Sequence, residues 1–160
     1  MKEYFLKELV GQVVTREDFI LLSEEINQVE KLIFKEVNIP LSEKVKGKTR
    51  EEFRDFLKKI EKENSHFLNP NQQLSFFQNL KKNLKNIPQL KLELAFQPSA
   101  EFLLKIKQWF KEKNRQEVIL DLLINPEIVG GAIIEYRGKY KNLSVEKKID
   151  ELFSKNTYAQ

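Results

Sequence analysis

The first 88 residues repeat apolar residues at the three- and four-residue spacing that is typical of amphipathic helices. Thr15 with Asp18, and Thr49 with Glu52, resemble capping boxes and predict two helix starts, while Pro40 ends the segment between them. The predicted apolar stripes are Leu6, Leu9 and Val13; Phe19, Leu22, Ile26, Val29 and Ile33; Phe53, Phe56, Leu57 and Ile60; and Leu74, Phe77, Leu80 and Leu84. Four or five helices with one apolar face each are expected to pack as a bundle.

Beyond Pro88 the hydrophobic period changes from helical spacing to strict alternation. The segment LKLELAF predicts a strand, PSAEFLLKIKQWF a helix, and the apolar run EVILDLLI a buried strand. A further strand, AIIEYR, a short strand and a last helix follow. The residues expected to face inward are Leu90, Leu92, Leu94 and Phe96 in the first strand; Phe102, Ile106, Trp109 and Phe110 in the first helix; and Val145, Ile149, Leu152 and Phe153 in the last helix.

This change of period predicts an α+β protein in two parts. Residues 1–88 are expected to form an N-terminal α-helical bundle, and residues 89–160 a small C-terminal α+β domain with a short sheet. The predicted boundary lies close to Pro88.

Three of the five glycines fall between residues 130 and 138. Asn125-Pro126 ends a strand, since the residue before proline avoids the α region. Gly130-Gly131 then begins the next strand, where a positive φ, a bulge or close packing excludes a Cβ. Gly138-Lys139 fits the two-residue loop of a type II′ hairpin. The phosphate-binding motifs GxGxxG and GxxxxGK[ST] are both absent, so these glycines are expected to shape a hairpin.

Composition and charge exclude several classes of protein. The absence of cysteine excludes disulfides and thiolate sites, and no apolar run reaches the roughly 20 residues of a membrane span. The net charge of +4 divides equally between residues 1–90 and residues 91–160, each of which carries +2. The densest basic group is Lys44, Lys46, Lys48 and Arg50, and we expect it to be a solvated loop rather than a phosphate-binding site.

The sequence predicts no catalytic, cofactor-binding or metal-binding residues. His66 is the only histidine, and one histidine without cysteines cannot complete a His-based metal site. The acidic pairs Glu24-Glu25 and Glu51-Glu52 are expected on solvated helix faces, where adjacent side chains do not converge. We expect Phe77 to pack in the core rather than to stack on bases, and we expect for Trp109 and Phe110 a core position first and a partner groove second.

The segment NPEIVGGAIIEYRGKYKNLSVEKKIDEL strongly resembles the C-terminal part of the delta subunit of bacterial F-type ATP synthases, the counterpart of mitochondrial OSCP. The resemblance extends more loosely over residues 49–155. It departs from the family pattern at Asn125, at Asn142-Leu143 and in a short N-terminal region. The positions that match the family motif are Pro126, Ile128, Val129, Gly130, Gly131, Gly138, Ser144, Val145 and Ile149.

A related stalk subunit of vacuolar and archaeal-type ATPases also carries a proline and Gly-Gly before a strand. It normally has a long N-terminal helix, and the breaks at Pro40 and Pro70 argue against that alternative.

The resemblance implies a non-catalytic stator subunit that supports proton-driven ATP synthesis and needs no cofactor. The bundle would bind N-terminal segments of the alpha subunits in the catalytic head. The C-terminal unit would bind the C-terminal helices of the b subunit in the peripheral stalk. The implied location is the cytoplasmic face of the bacterial plasma membrane, peripheral and within the complex, with no nucleic acid as partner. The alternative is a helical adaptor or nucleic-acid-binding protein, which only the mild basicity supports.

Overall fold

The structure is a computed structural model that describes residues 3–128 and 130–144, apart from the side chains of Glu3 and His66. Within these residues the chain forms six α-helices, one 3-10 helix and four strands, which confirms the α+β class. The chain divides into two compact units. The helical unit runs to Val13 and from Glu17 to Asn86, and the sheet unit contains Val14–Arg16 and the chain from Ile87 onward.

The helical unit is built from amphipathic helices around an apolar core. The elements are α1 Glu3–Gln12, α2 Arg16–Leu32, α3 Leu41–Lys44, α4 Glu51–Glu63, the 3-10 helix Ser65–Leu68 and α5 Pro70–Lys85. Aromatic rings link the elements: Phe5 of α1 meets Phe56 of α4 edge-on at 6.0 Å, and Phe67 meets Phe76 of α5 at 5.6 Å. The predicted stripes of α2, α4 and α5 lie largely in this core.

The start of α4 differs from the prediction. Its N-cap is Arg50, which has no side-chain capping hydrogen bond, so the predicted capping box of Thr49 and Glu52 is wrong. The Thr49 hydroxyl instead donates to the Val45 carbonyl at 3.5 Å. The cause is tertiary: the Arg50 backbone N–H donates to Glu25 of α2 at 2.9 Å, which satisfies an amide at the helix start from outside the helix.

The sheet unit contains β1 Gln89–Leu94, α6 Ala100–Asn114, β2 Ile119–Ile124, β3 Ala132–Tyr136 and β4 Lys139–Asn142. The strand order is β2-β1-β3-β4; β1 and β2 are parallel, and the other two pairs are antiparallel. Ser99 caps α6 by accepting a hydrogen bond from the Phe102 N–H at 3.2 Å. The predicted last helix, with Val145, Ile149, Leu152 and Phe153, lies outside the described residues.

A short segment before α2 completes the edge of the sheet. The Val14 carbonyl accepts a hydrogen bond from the Leu120 N–H at 2.9 Å, and Thr15 forms a parallel bridge with Leu120. This is why residues 14–16 belong to the sheet unit. Three residues are too few to show the alternation of a strand. The prediction that residues 1–88 all belong to the bundle therefore missed that residues 14–16 join the sheet.

One face of the sheet packs on α6. The buried cluster consists of Leu90, Leu103, Phe110, Val118 and Leu120. Phe110 also meets the ring of Tyr136 at 4.8 Å.

The inward face of α6 is rotated from the predicted one. Leu103, Lys107 and Phe110 are buried, whereas Phe102 and Trp109 are exposed, so the prediction that these two face inward is wrong. Lys107 reaches this face because its aliphatic stem packs while its ammonium lies 3.8 Å from Glu117. Phe96 also lies outside β1 and is exposed, contrary to the prediction.

The hairpin between β3 and β4 turns one residue earlier than predicted. Tyr136 pairs with Lys139, so the loop consists of Arg137 and Gly138. Both have positive φ, 50° and 74°, which is the conformation of a type I′ turn. The predicted type II′ loop at Gly138-Lys139 is therefore wrong, although the glycine does occupy a position that requires positive φ.

Candidate partner-binding surfaces

The described family-motif residues lie between the end of β2 and the segment just after β4. Pro126 is exposed, Gly130 is half-buried, and Ile128 and Ser144 are buried. Gly138 lies in the hairpin turn. Val129, Val145 and Ile149 lie outside the described residues.

Gly131 shows why this path excludes larger residues. Its φ is +91°, and a Cβ placed on it would lie 2.4 Å from the Leu143 carbonyl oxygen and 3.0 Å from the Ser144 Cα. The Leu143 N–H donates to the carbonyl of Ala132, the residue after Gly131, at 2.8 Å. This hydrogen bond holds the two segments of the chain close together. Both the positive φ and the close approach that the sequence suggested are present at Gly131.

Asn125 fixes the other end of the same path. Its backbone N–H donates to Leu94 at 2.8 Å, and its side-chain oxygen accepts from the Glu127 N–H at 3.0 Å. Its amide nitrogen donates to Glu93 at 2.6 Å. Gly131 and Gly138 of the motif, together with the neighbouring Asn125, thus determine the route of the chain between strands, which is a structural role.

A groove between α1 and α5 is the first surface suited to a partner. It encloses about 370 Å³ and is lined by Leu6, Gln72, Ser75, Phe76 and Asn79. The four α5 residues share one helix face, since they recur at three- and four-residue spacing. Leu6 and Phe76 give the groove an apolar floor, and the amide and hydroxyl groups form its rim. Such a groove suits the apolar face of an amphipathic helix.

An aromatic stripe on α6 is the second surface. Phe102, Ile106 and Trp109 follow one another at i, i+4 and i+7 on one flank of the helix, and the ring of Phe96 lies 5.9 Å from that of Phe102. Trp109 is 52% exposed. Exposed aromatic residues that lie together are typical of binding hot spots. The sequence showed these residues but not their direction, because α6 is apolar over too wide an arc to reveal which flank is buried.

Glu25 corrects the expectation that Glu24-Glu25 lies on a solvated face. It is only 6% exposed, and its carboxylate accepts hydrogen bonds from the Arg50 Nε at 3.0 Å and Nη2 at 2.8 Å. These hydrogen bonds raise the pKa of Arg50. The partner is 25 residues away, and a single sequence gives no signal for such a pair.

The basic loop is partly used inside the helical unit. The Lys44 ammonium donates to the Ile33 carbonyl at 3.2 Å and lies 3.4 Å from the Leu32 carbonyl, at the end of α2. Burial lowers the pKa of Lys44. Arg50 is bound to Glu25, so Lys46 and Lys48 are the members of the group that remain exposed without an internal partner among the described residues.

In residues 3–128 and 130–144, no three histidine, cysteine or acidic side chains converge as metal ligands. None of the helices in the same part of the chain combines the length and apolarity needed to cross a membrane.

Comparison with known proteins then decides the family. The family model described as "ATP synthase delta (OSCP) subunit" matches residues 24–155, which is most of the chain. The chain belongs to the ATP synthase delta (OSCP) family. This family supplies a non-catalytic stalk subunit of the membrane-bound ATP synthase, and the expected family membership is confirmed.

A relative from Methylobacterium nodulans, named "ATP synthase subunit delta", is 30% identical over 76 residues. The match covers 48% of this chain and 40% of the relative. This chain therefore spans about two fifths of the length of the curated relative that it matches.

Proposed function

We propose that this delta/OSCP-family chain links the catalytic head of ATP synthase to the peripheral stalk by binding one amphipathic partner with each unit. The family match over residues 24–155 carries this proposal. The groove and the aromatic stripe support it, because each unit has one surface of the kind that accepts a helix. The division into a bundle domain and an α+β domain is part of the same proposal.

In the helical unit, the groove between α1 and α5 binds the N-terminal segment of an alpha subunit. Leu6 and Phe76 accept apolar side chains of the incoming helix, while Gln72 and Asn79 offer amides at the rim. Because the floor belongs to a packed core, the groove is preformed and little conformational entropy is lost on binding.

In the sheet unit, the aromatic stripe binds the C-terminal helices of the b subunit. Trp109 and Phe102 supply large apolar area on a rigid helix, and Ile106 between them is half-buried. Burial of aromatic side chains dominates the energetics of many interfaces.

The role of the protein is mechanical. Rotation inside the head exerts a torque that would turn the head with the rotor unless a stator holds it. A link that binds the head with one unit and the stalk with the other resists that torque without any chemical step. The proposed location is the cytoplasmic face of the bacterial plasma membrane, held there through the complex.

Calorimetry of the full chain with two peptides tests this assignment. One peptide is the N-terminus of the alpha subunit, and the other is the C-terminus of the b subunit, both from the same organism. Asn79→Arg places a long cation at the rim of the groove and should weaken only the alpha peptide. Trp109→Ala should weaken only the b peptide, by about tenfold or more. Gln78→Arg and Leu104→Ala are matched controls, because both positions are exposed on the same helices outside the two surfaces.

The apolar character of both contacts gives a second criterion. Binding should show a negative heat-capacity change and depend only weakly on salt. If neither peptide binds while RNA binds in a strongly salt-sensitive way, the proposal is wrong and the nucleic-acid alternative replaces it.

A further inference from the structure

The loop between α2 and α3, residues 33–40, displays apolar side chains instead of burying them. Phe34, Val37 and Ile39 are 58%, 55% and 41% exposed. Ile33 and Leu41, at the two ends of the loop, are fully buried. The loop therefore anchors itself in the core at its ends and presents three hydrophobic residues between them, which is uncommon unless a partner covers them.

Hydrogen bonds hold this loop in a defined conformation. Glu36 adopts a positive φ of 45°, and its carbonyl accepts from the Ile39 N–H at 2.8 Å. The Lys44 ammonium, donating to the Ile33 carbonyl, ties α3 to the start of the loop. A surface that is held in place before binding loses less conformational entropy when a partner docks.

The net charge around the loop is positive. Residues 31–50 contain six basic and two acidic residues, an excess equal to the +4 of the whole chain. Lys31, Lys35, Lys46 and Lys48 are exposed and form no ion pair in the described part of the chain. The two acidic residues interact with other cations. Glu43 lies 3.5 Å from Arg54. Burial lowers the pKa of Lys44, and the negative charge of Glu36 opposes part of that lowering.

We propose that this basic apolar face, formed by Phe34, Val37, Ile39, Lys31, Lys35, Lys46 and Lys48, is a second docking surface of the helical unit and accepts an acidic amphipathic helix of a partner protein. The apolar face of the helix would cover the three hydrophobic residues, and the carboxylates of its polar face would form ion pairs with the lysines. The face shares no residue with the groove between α1 and α5.

Two other occupants fit less well. A membrane-surface anchor normally uses an amphipathic helix or interfacial tryptophan and tyrosine, and this face offers a short loop with one phenylalanine. Single-stranded nucleic acid needs several aromatic platforms along a basic groove, whereas here aliphatic side chains separate the cations. An acidic helix satisfies both the apolar and the basic parts of the face.

The test uses the full chain and three synthetic helical peptides of equal length with the same leucine stripe and a glutamate, glutamine or lysine polar face. The glutamate peptide should bind at least tenfold more tightly than the lysine peptide, with the glutamine peptide between them. The double variant Phe34→Ser/Val37→Ser should weaken the glutamate peptide about tenfold or more. Ile20→Ser/Leu21→Ser is the matched apolar control, since those residues are about equally exposed on α2. It should leave binding unchanged.

A second pair of variants tests the charge. Lys46→Gln/Lys48→Gln should weaken the glutamate peptide, whereas Lys82→Gln/Lys85→Gln, which removes the same charge from exposed positions of α5, should not. Equal binding of the glutamate and lysine peptides, or equal effects of the two charge variants, would overturn the proposal. A third result would also overturn it. In that result Phe34→Ser/Val37→Ser weakens the binding of the protein to phosphatidylglycerol vesicles or to single-stranded RNA but leaves its binding to the glutamate peptide unchanged.

Discussion

Gly131 is the residue at which backbone geometry constrains the chain most clearly. Its φ of +91° and the Leu143 carbonyl 2.4 Å from a would-be Cβ both exclude a side chain. Gly131→Val should therefore destabilise the sheet unit by at least about 1–3 kcal/mol, the scale of such strain. Chemical denaturation measures this loss. Gly11→Ala, in a helix with open space around it, should be neutral or slightly stabilising. An unchanged midpoint for Gly131→Val would contradict the geometry described.

Glu25 provides the second test at the residue scale. Glu25→Gln keeps the size of the side chain but removes the charge that accepts three hydrogen bonds from Arg50. We expect a loss of about 1–2 kcal/mol, because the guanidinium of Arg50 is partly exposed and water replaces some of the lost interaction. Urea denaturation compares it with Glu24→Gln, whose exposed carboxylate should change stability by less than about 0.5 kcal/mol. Equal losses for the two variants would show that the interaction between Glu25 and Arg50 does not stabilise the folded protein.

These two residues show what a single sequence reveals. Gly131 could be found because glycine is rare here and a pair of glycines before a strand has few structural explanations. Glu25 could not be found, because its burial depends on Arg50, which approaches from another part of the chain. The same contact moved the start of α4 away from the predicted capping box. Local patterns reveal backbone requirements, whereas tertiary pairs between charged residues leave no local trace.

At the scale of elements, the hydrophobic period predicted the four described strands and the helices α1, α2, α4, α5 and α6 in their order. It did not predict the short helix α3, the 3-10 helix or every orientation. In α6 the apolar residues cover a wide arc, and only packing on β1 and β2 selects Leu103 and Phe110 as the buried ones. In the hairpin the choice between two turn types depended on a one-residue register, which Gly138 alone does not determine. The segment at residues 14–16 was too short to show any period.

The orientation of α6 predicts a sharp contrast in stability. Phe110→Ala should cost about 3–5 kcal/mol, because it empties a position in the core of the sheet unit. Trp109→Ala removes a larger side chain but should cost less than about 0.5 kcal/mol, since that residue is exposed. Thermal or urea denaturation of the two variants decides the matter. A Trp109→Ala variant as unstable as Phe110→Ala would mean that the tryptophan is a core residue, as the sequence alone suggested.

At the scale of the whole molecule, each unit carries one of the two surfaces that we propose to bind the head and the stalk. The helical unit has a groove between two helices, and the sheet unit has an aromatic stripe on one helix. Neither surface needs catalytic residues, cofactors or metal, which agrees with a family that supplies a non-catalytic stalk subunit. Our proposal is that the protein acts only by holding two partners at once.

Analytical ultracentrifugation of a three-component mixture tests that proposal most directly. The components are the catalytic head without its delta subunit, the cytoplasmic part of the b subunit, and this chain, all from one organism. We expect the head and the b subunit to sediment together only when the chain is present. Asn79→Arg and Trp109→Ala should each release one partner, whereas Gln78→Arg and Leu104→Ala should release neither. Two results would contradict the proposal: the head and the b subunit sediment together without the chain, or they still sediment together with the chain when it carries either Asn79→Arg or Trp109→Ala.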